Sequence, residues 1–206
     1  MRPATLSHVT GYPAFEPLEP RLLLTDVSGH ITADTVWNNT AEPYRLVDNL
    51  YVDAGARLTV SSGVQVEDNS GSYGLRINGT LEATGAAFSG NYQDVRVYSG
   101  GRADLSSCTI TGTNSVVDFQ ADSTGTLDHV SGSSWDLTVA SANVSVTDSA
   151  LDVLTVSASA TVTGSTIGYV NLNGGVPVIA GNTFTDSVPI RVTDPDLMDT
   201  SGFSGN

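Results

Sequence analysis

An apolar–polar–apolar triplet returns along this chain at nearly fixed intervals, and no other feature constrains its fold as strongly. The triplets are Leu75-Arg76-Ile77, Val95-Arg96-Val97, Val117-Asp118-Phe119, Leu137-Thr138-Val139, Leu154-Thr155-Val156, Val170-Asn171-Leu172 and Ile190-Arg191-Val192. Their first residues lie 20, 22, 20, 17, 16 and 20 positions apart. A second apolar set follows each one: Leu81 to Ala83, Ala103 to Leu105, Leu127, Val144 to Val146, Ala160 to Val162 and Val176 to Val178. A small, polar step then ends on one large apolar residue, in "GAAF", "SCTI", "GSSW", "DSAL", "GSTI" and "GNTF".

Alternation of this kind sends one side of a strand inward and the other outward. A repeat of about 20 residues without a helical period points to a quasi-one-dimensional array. Stacked hairpins would need primed-turn dipeptides and antiparallel mates at each step. A β-sandwich also yields short strands at about 8–12-residue spacing. Equivalent positions in successive units share residue character as well as polarity, which favours coils that stack. The expected fold is all-β, a parallel β-helix with three short strands per coil over residues 31–206. Ahead of it, residues 1–30 hold four of the eight prolines and predict an extended leader.

Asn49 to Gly85 resembles the opening coils of right-handed parallel β-helix domains in bacterial surface proteins, a pectin-lyase-like fold. The matching residues are Val52, Ala54, Gly55, Leu58, Thr59, Val60, Gly63, Val64, Val66, Leu75, Ile77, Gly79, Leu81, Ala83 and Gly85. The resemblance implies the fold and says almost nothing about function.

Composition removes several classes of function. The formal net charge is -14, and all 8 basic residues are arginine. A chain without a basic stripe lacks the means to neutralise nucleic-acid phosphates. No apolar run approaches the roughly 20 residues of a membrane helix, and the cluster Leu22 to Leu24 is too short for the apolar core of a secretory signal. Cys108 is single and cannot form an internal disulfide.

Stacking in register would align outward rows. The middle row is Arg76, Arg96, Asp118, Thr138, Thr155, Asn171 and Arg191, with Gly74, Asp94, Val116, Asp136, Val153, Tyr169 and Pro189 on one flank. Asn78, Tyr98, Gln120, Ala140, Ser157, Asn173 and Thr193 form the other flank. With coils about 4.8 Å apart, Asp94, Arg96, Tyr98, Asp118, Gln120 and Asp136 would share a patch. Arg96, Tyr98, Asp118 and Gln120 are the glycan-binding candidates. Asp94, Arg96, Asp118 and Asp136 are the catalytic candidates under an alternative reading, a polysaccharide lyase or glycoside hydrolase acting on acidic polysaccharide.

Outward positions on a solenoid are polar in any case, and exposed ion pairs are weak. The paired "DD" and "GHG" of polygalacturonase-like enzymes and the "R-x-P-x-x-R" of pectate-lyase-like enzymes are missing. The expected role is therefore non-catalytic, structural or adhesive, with polysaccharide or other surface proteins as partners. His8, His30 and His129 show no metal spacing, so no metal and no cofactor are expected. The acidic turns Glu67 to Asn69 and Asp194 to Asp196 offer calcium at most loose purchase.

Two further stretches stand apart. "GFSGN" closes the chain and echoes "AFSGN" at residues 87–91, which predicts a final coil that expects a further coil or cap. Near the start, Leu18, Glu19, Pro20, Arg21, Leu23 and Leu24 match the LEPR-x-LL motif. That resemblance is to large bacterial surface and exported proteins, and it implies sorting to the cell surface or secretion.

Overall fold

The computed structural model describes residues 25–68, 71, 73–91, 94–193 and 203–206. The LEPR-x-LL stretch and Asp194 to Asp196 lie outside the described residues. The described chain is all-β, with no helix, and its strands stack as a parallel solenoid of about eight turns. Among the described residues every strand pairing is parallel, in one sheet of 12 strands and another of 9. Among the described residues the first strand is β1 (Thr25–Ile31), which pairs with Tyr44–Val52. Residues 25–30 therefore run in the first coil, ahead of the boundary expected at Ile31.

The triplet rows stack as the spacing requires. Leu50 meets Leu75, which meets Val95, then Val117, Leu137, Leu154 and Val170. All of these are buried, as is the parallel row from Val52 through Ile77, Val97, Phe119, Val139 and Val156 to Leu172. Each such side chain contributes about 1.5–3 kcal/mol by leaving water. The facing sheet supplies Leu81, Ala103 and Gly125 in one row and Ala83, Leu105, Leu127, Val146, Val162 and Ile179 in the next. Gly125 is small for a reason: a Cβ there would collide with the Phe119 ring.

Three details depart from the sequence reading. In several coils the three strands do not stay separate, because the plug strand runs on into the triplet strand. Thr109–Phe119, for example, is one bent strand of 11 residues. Trp135 is not a plug. Gly132 stacks on Ile110, while Trp135 pairs with Ser115 beyond a register shift. Between the anchors 111 and 115 one coil spends more residues than its neighbour does between 133 and 135, with Asn114 and Ser134 left-handed in the bend (φ 57° and 58°). The indole is fully buried, and Nε1 donates to the Ala150 carbonyl at 2.7 Å. Lastly, Val178 points outward at 46 % exposure, and it is Ile179 that stacks on Val162, so the inward set is displaced by one from Val176 to Val178.

One corner repeats with unusual uniformity. Gly85, Ser107, His129, Asp148, Gly164, Gly181 and Gly205 follow register-matched residues and all have φ between 47° and 65°. Glycine adopts this left-handed region without penalty, and Ser, His and Asp occupy it here at some cost. The next residue turns inward. There Ser149 Oγ accepts from the Val130 amide (3.0 Å) and Ser165 Oγ from the Ser149 amide (3.1 Å). Asn182 Oδ1 accepts from the Ser165 amide (2.9 Å), and Asn206 Oδ1 from the Asn182 amide (2.9 Å). This internal ladder meets backbone donors that the tight corner would otherwise leave buried and unpaired.

Candidate functional site

The outward middle row forms as the register predicts, with Arg76 beside Arg96, then Asp118, Thr138, Thr155, Asn171 and Arg191. Toward the N-terminus it continues through Tyr51 to His30. Alternation on four-residue strands such as Gly74–Ile77 and Asp94–Val97 fixes these directions.

Within the row the charges form a continuous chain. Arg76 Nη1 donates to Asp94 Oδ2 at 3.0 Å, and Arg96 Nη2 reaches the same oxygen at 3.1 Å. Arg96 Nε donates to Asp118 Oδ2 at 3.0 Å, which also accepts from Gln120 Nε2 at 2.6 Å. Gly74 makes room for this, since a Cβ there would lie 2.8 Å from Arg76 Nη1. The carboxylates are well shielded, Asp94 at 18 % and Asp118 at 12 % side-chain exposure. Burial raises the Asp94 carboxyl above its ordinary range, and Arg76 and Arg96 work against that rise. Asp94 Oδ1 is buried without a hydrogen-bond partner.

The structure thus brings together Asp94, Arg96, Asp118 and Gln120. Tyr98 stands within electrostatic reach of Arg96. Asp136 stands apart from this chain. Val116 separates it from Asp94 in the flanking row, and its charged neighbour is Asp152. Burial, and then the Asp152 charge, push the Asp136 carboxyl up.

Other contacts were not read from the sequence. His30 stacks on Tyr51 with ring centroids 4.8 Å apart, and its Nδ1 lies 2.8 Å from Asp53 Oδ1. At the far end of the row Arg191 lies over the Tyr169 ring at 3.9 Å. Both follow from coil spacing, because the partners are register neighbours or sit beside them. On the left-handed corner, Asp128, His129 and Asp148 bring one potential ligand atom each within 4.8 Å of one another. Asp128 Oδ1 there already accepts from Thr147 Oγ1 at 2.6 Å, a bond that lowers its pKa.

Chemically, this face offers fixed guanidinium and carboxamide donors, flanking aromatic rings and carboxylates held in ion pairs. Among the described residues it opens into no pocket. Among the described residues no helix is long and apolar enough to cross a membrane. No protein-family model, curated protein or solved structure matches this chain.

Proposed function

We propose that this chain is a non-catalytic β-helix module of the LEPR-XLL type, exported by a bacterium to its surface or secreted. Its role is structural or adhesive, with glycan contact along the face from Tyr51 to Gln120. The observation that carries this reading is the engagement of the carboxylates. Asp94 and Asp118 are bridged by one guanidinium, and each takes a second donor. A carboxylate held this way serves poorly as a proton donor or base, which needs an unengaged group with a matched pKa. A flat row of donors and rings suits weak contacts repeated along an extended chain. Export rests on the resemblance of Leu18 to Leu24.

The lyase or hydrolase reading draws on two raised carboxyls, that of Asp136 beside Asp152 and that of Asp94. A panel of acidic and neutral polysaccharides separates the two readings. The expected outcome is retention on immobilised glycan that weakens in Arg96→Ala, with no new reducing ends and no unsaturated products. Turnover that disappears in Asp136→Asn or Asp118→Ala overturns the non-catalytic reading. Deleting residues 1–24 is expected to leave the far-ultraviolet β signal unchanged while altering where the protein accumulates. An unaltered location overturns the sorting role.

A further inference from the structure

Two Asn-Gly steps occur in this sequence, Asn78-Gly79 and Asn173-Gly174. They occupy the same corner of the coil, directly after the triplet strands that end at Ile77 and Leu172. Their asparagine amides make the same bond to the coil before, to the Val52 carbonyl at 2.9 Å and to the Val156 carbonyl at 2.8 Å. The following glycines differ. The Gly79 amide also donates to the Val52 carbonyl at 2.9 Å, and a Cβ on Gly79 would collide with the carbonyls of Asp53 and Ala56. Gly79 is buried. Among the described residues the Gly174 amide has no hydrogen-bond partner, Gly174 is only half-buried and Asn173 is exposed.

We infer that Asn173 is a site of spontaneous, fold-gated deamidation, and that Asn78 is protected from it by its coil. The Gly174 nitrogen, once it has lost its proton, attacks Asn173 Cγ. The new N–Cγ bond closes a five-membered succinimide, the Cγ–Nδ2 bond breaks and ammonia leaves. Water then adds to either ring carbonyl and opens one of the two ring C–N bonds, giving aspartate or isoaspartate. No oxidant or cofactor is required. A nitrogen already donating to a carbonyl inside a packed coil cannot lose its proton and swing onto the side chain without local opening, whereas an unpaired, accessible one can. What holds the Asn173 carboxamide is the hydroxyl of Thr193, 2.6 Å from Oδ1. That hydroxyl belongs to the last coil, whose strand residues Ile190 and Val192 remain 38 % and 44 % exposed, so the restraint is itself weakly anchored.

The test is peptide mapping by mass spectrometry of the folded full-length chain incubated in mildly alkaline buffer, with isoaspartate detected by enzymatic methylation. Asn173 is expected to convert at least about tenfold faster than Asn78, and in concentrated urea the two rates should converge to within about twofold. Asn173→Gln should remove the fast product and leave the Asn78 rate unchanged. The inference is overturned if Asn173 stays intact in the folded chain, if Asn78 keeps pace with it there, or if the difference persists in urea.

Discussion

Two ladders reinforce this solenoid, an outer one over residues 76–120 and an inner one over residues 130–206, and they are built by the same device. In each, one side chain per coil reaches the next coil. The outer ladder joins Arg76, Asp94, Arg96, Asp118 and Gln120 through charge. The inner one joins Ser149, Ser165, Asn182 and Asn206 through neutral groups that bond to backbone amides. In the outer ladder Arg96, 40 % exposed, can exchange protein partners for water, so its net worth is small and depends on salt. Ser149, Ser165 and Asn182 of the inner ladder are buried and cannot, so each is worth roughly the desolvation cost of whatever it leaves unpaired. The fold is therefore held at the corner, and the outward face is free to vary in chemistry.

Asn182→Ala puts that difference to the strongest test. The carboxamide accepts from the Ser165 amide and donates to the Val162 carbonyl, so its loss strands two buried groups of the preceding coil. Urea denaturation should show a loss of about 2–3 kcal/mol, little changed by salt. A loss smaller than that of an outer-ladder variant would reverse the ranking. Arg96→Ala comes next, with an expected loss of about 1 kcal/mol that shrinks as salt is added, since Arg96 is 40 % exposed. A salt-independent loss would mean that the outer ladder behaves as buried.

Asp136→Asn should have the smallest effect and the opposite sign. Burial, then Asp152, raise the Asp136 carboxyl in the folded state. The folded chain therefore holds that proton to higher pH than the unfolded chain does. Stability falls as pH climbs from the ordinary carboxylate value of 3.8 through the raised one. The variant is thus expected to melt slightly higher than the parent at neutral pH and level with it below that window. A melting temperature lowered at neutral pH would assign Asp136 a stabilising contact instead.

The outer ladder was legible in the sequence because its geometry needs only two numbers, a step of two within a strand and about 20 between strands. Arg96 and Asp118 become neighbours by counting. Counting fails where a coil changes length. The bend between Thr111 and Ser115 absorbs extra residues through left-handed Asn114, a residue type that also sits in ordinary turns. Trp135 was therefore placed one row away from its true partner. At Val178 the strand is short and both Val178 and Ile179 are apolar, so composition could not fix which faces inward. The inner ladder was harder still. Serine and asparagine in a Ser-rich chain look like solvent-facing turn residues until the left-handed corner before them turns the side chain inside. Asp136 stands where counting places it, in the row of Asp94 with Val116 between them.

The left-handed corner carries one more consequence. Because Gly85, Ser107, His129, Asp148, Gly164, Gly181 and Gly205 leave the corner in the same conformation, each coil hands its successor the same starting direction. A stretch cut from one corner to the next, such as residues 149–164, is then an interchangeable unit. Tandem duplication of such a stretch would lengthen the rod by about 4.8 Å without altering any existing coil. For a gene encoding this chain, rod length is a copy number, adjustable by recombination and open to selection independently of the chemistry displayed on the outside.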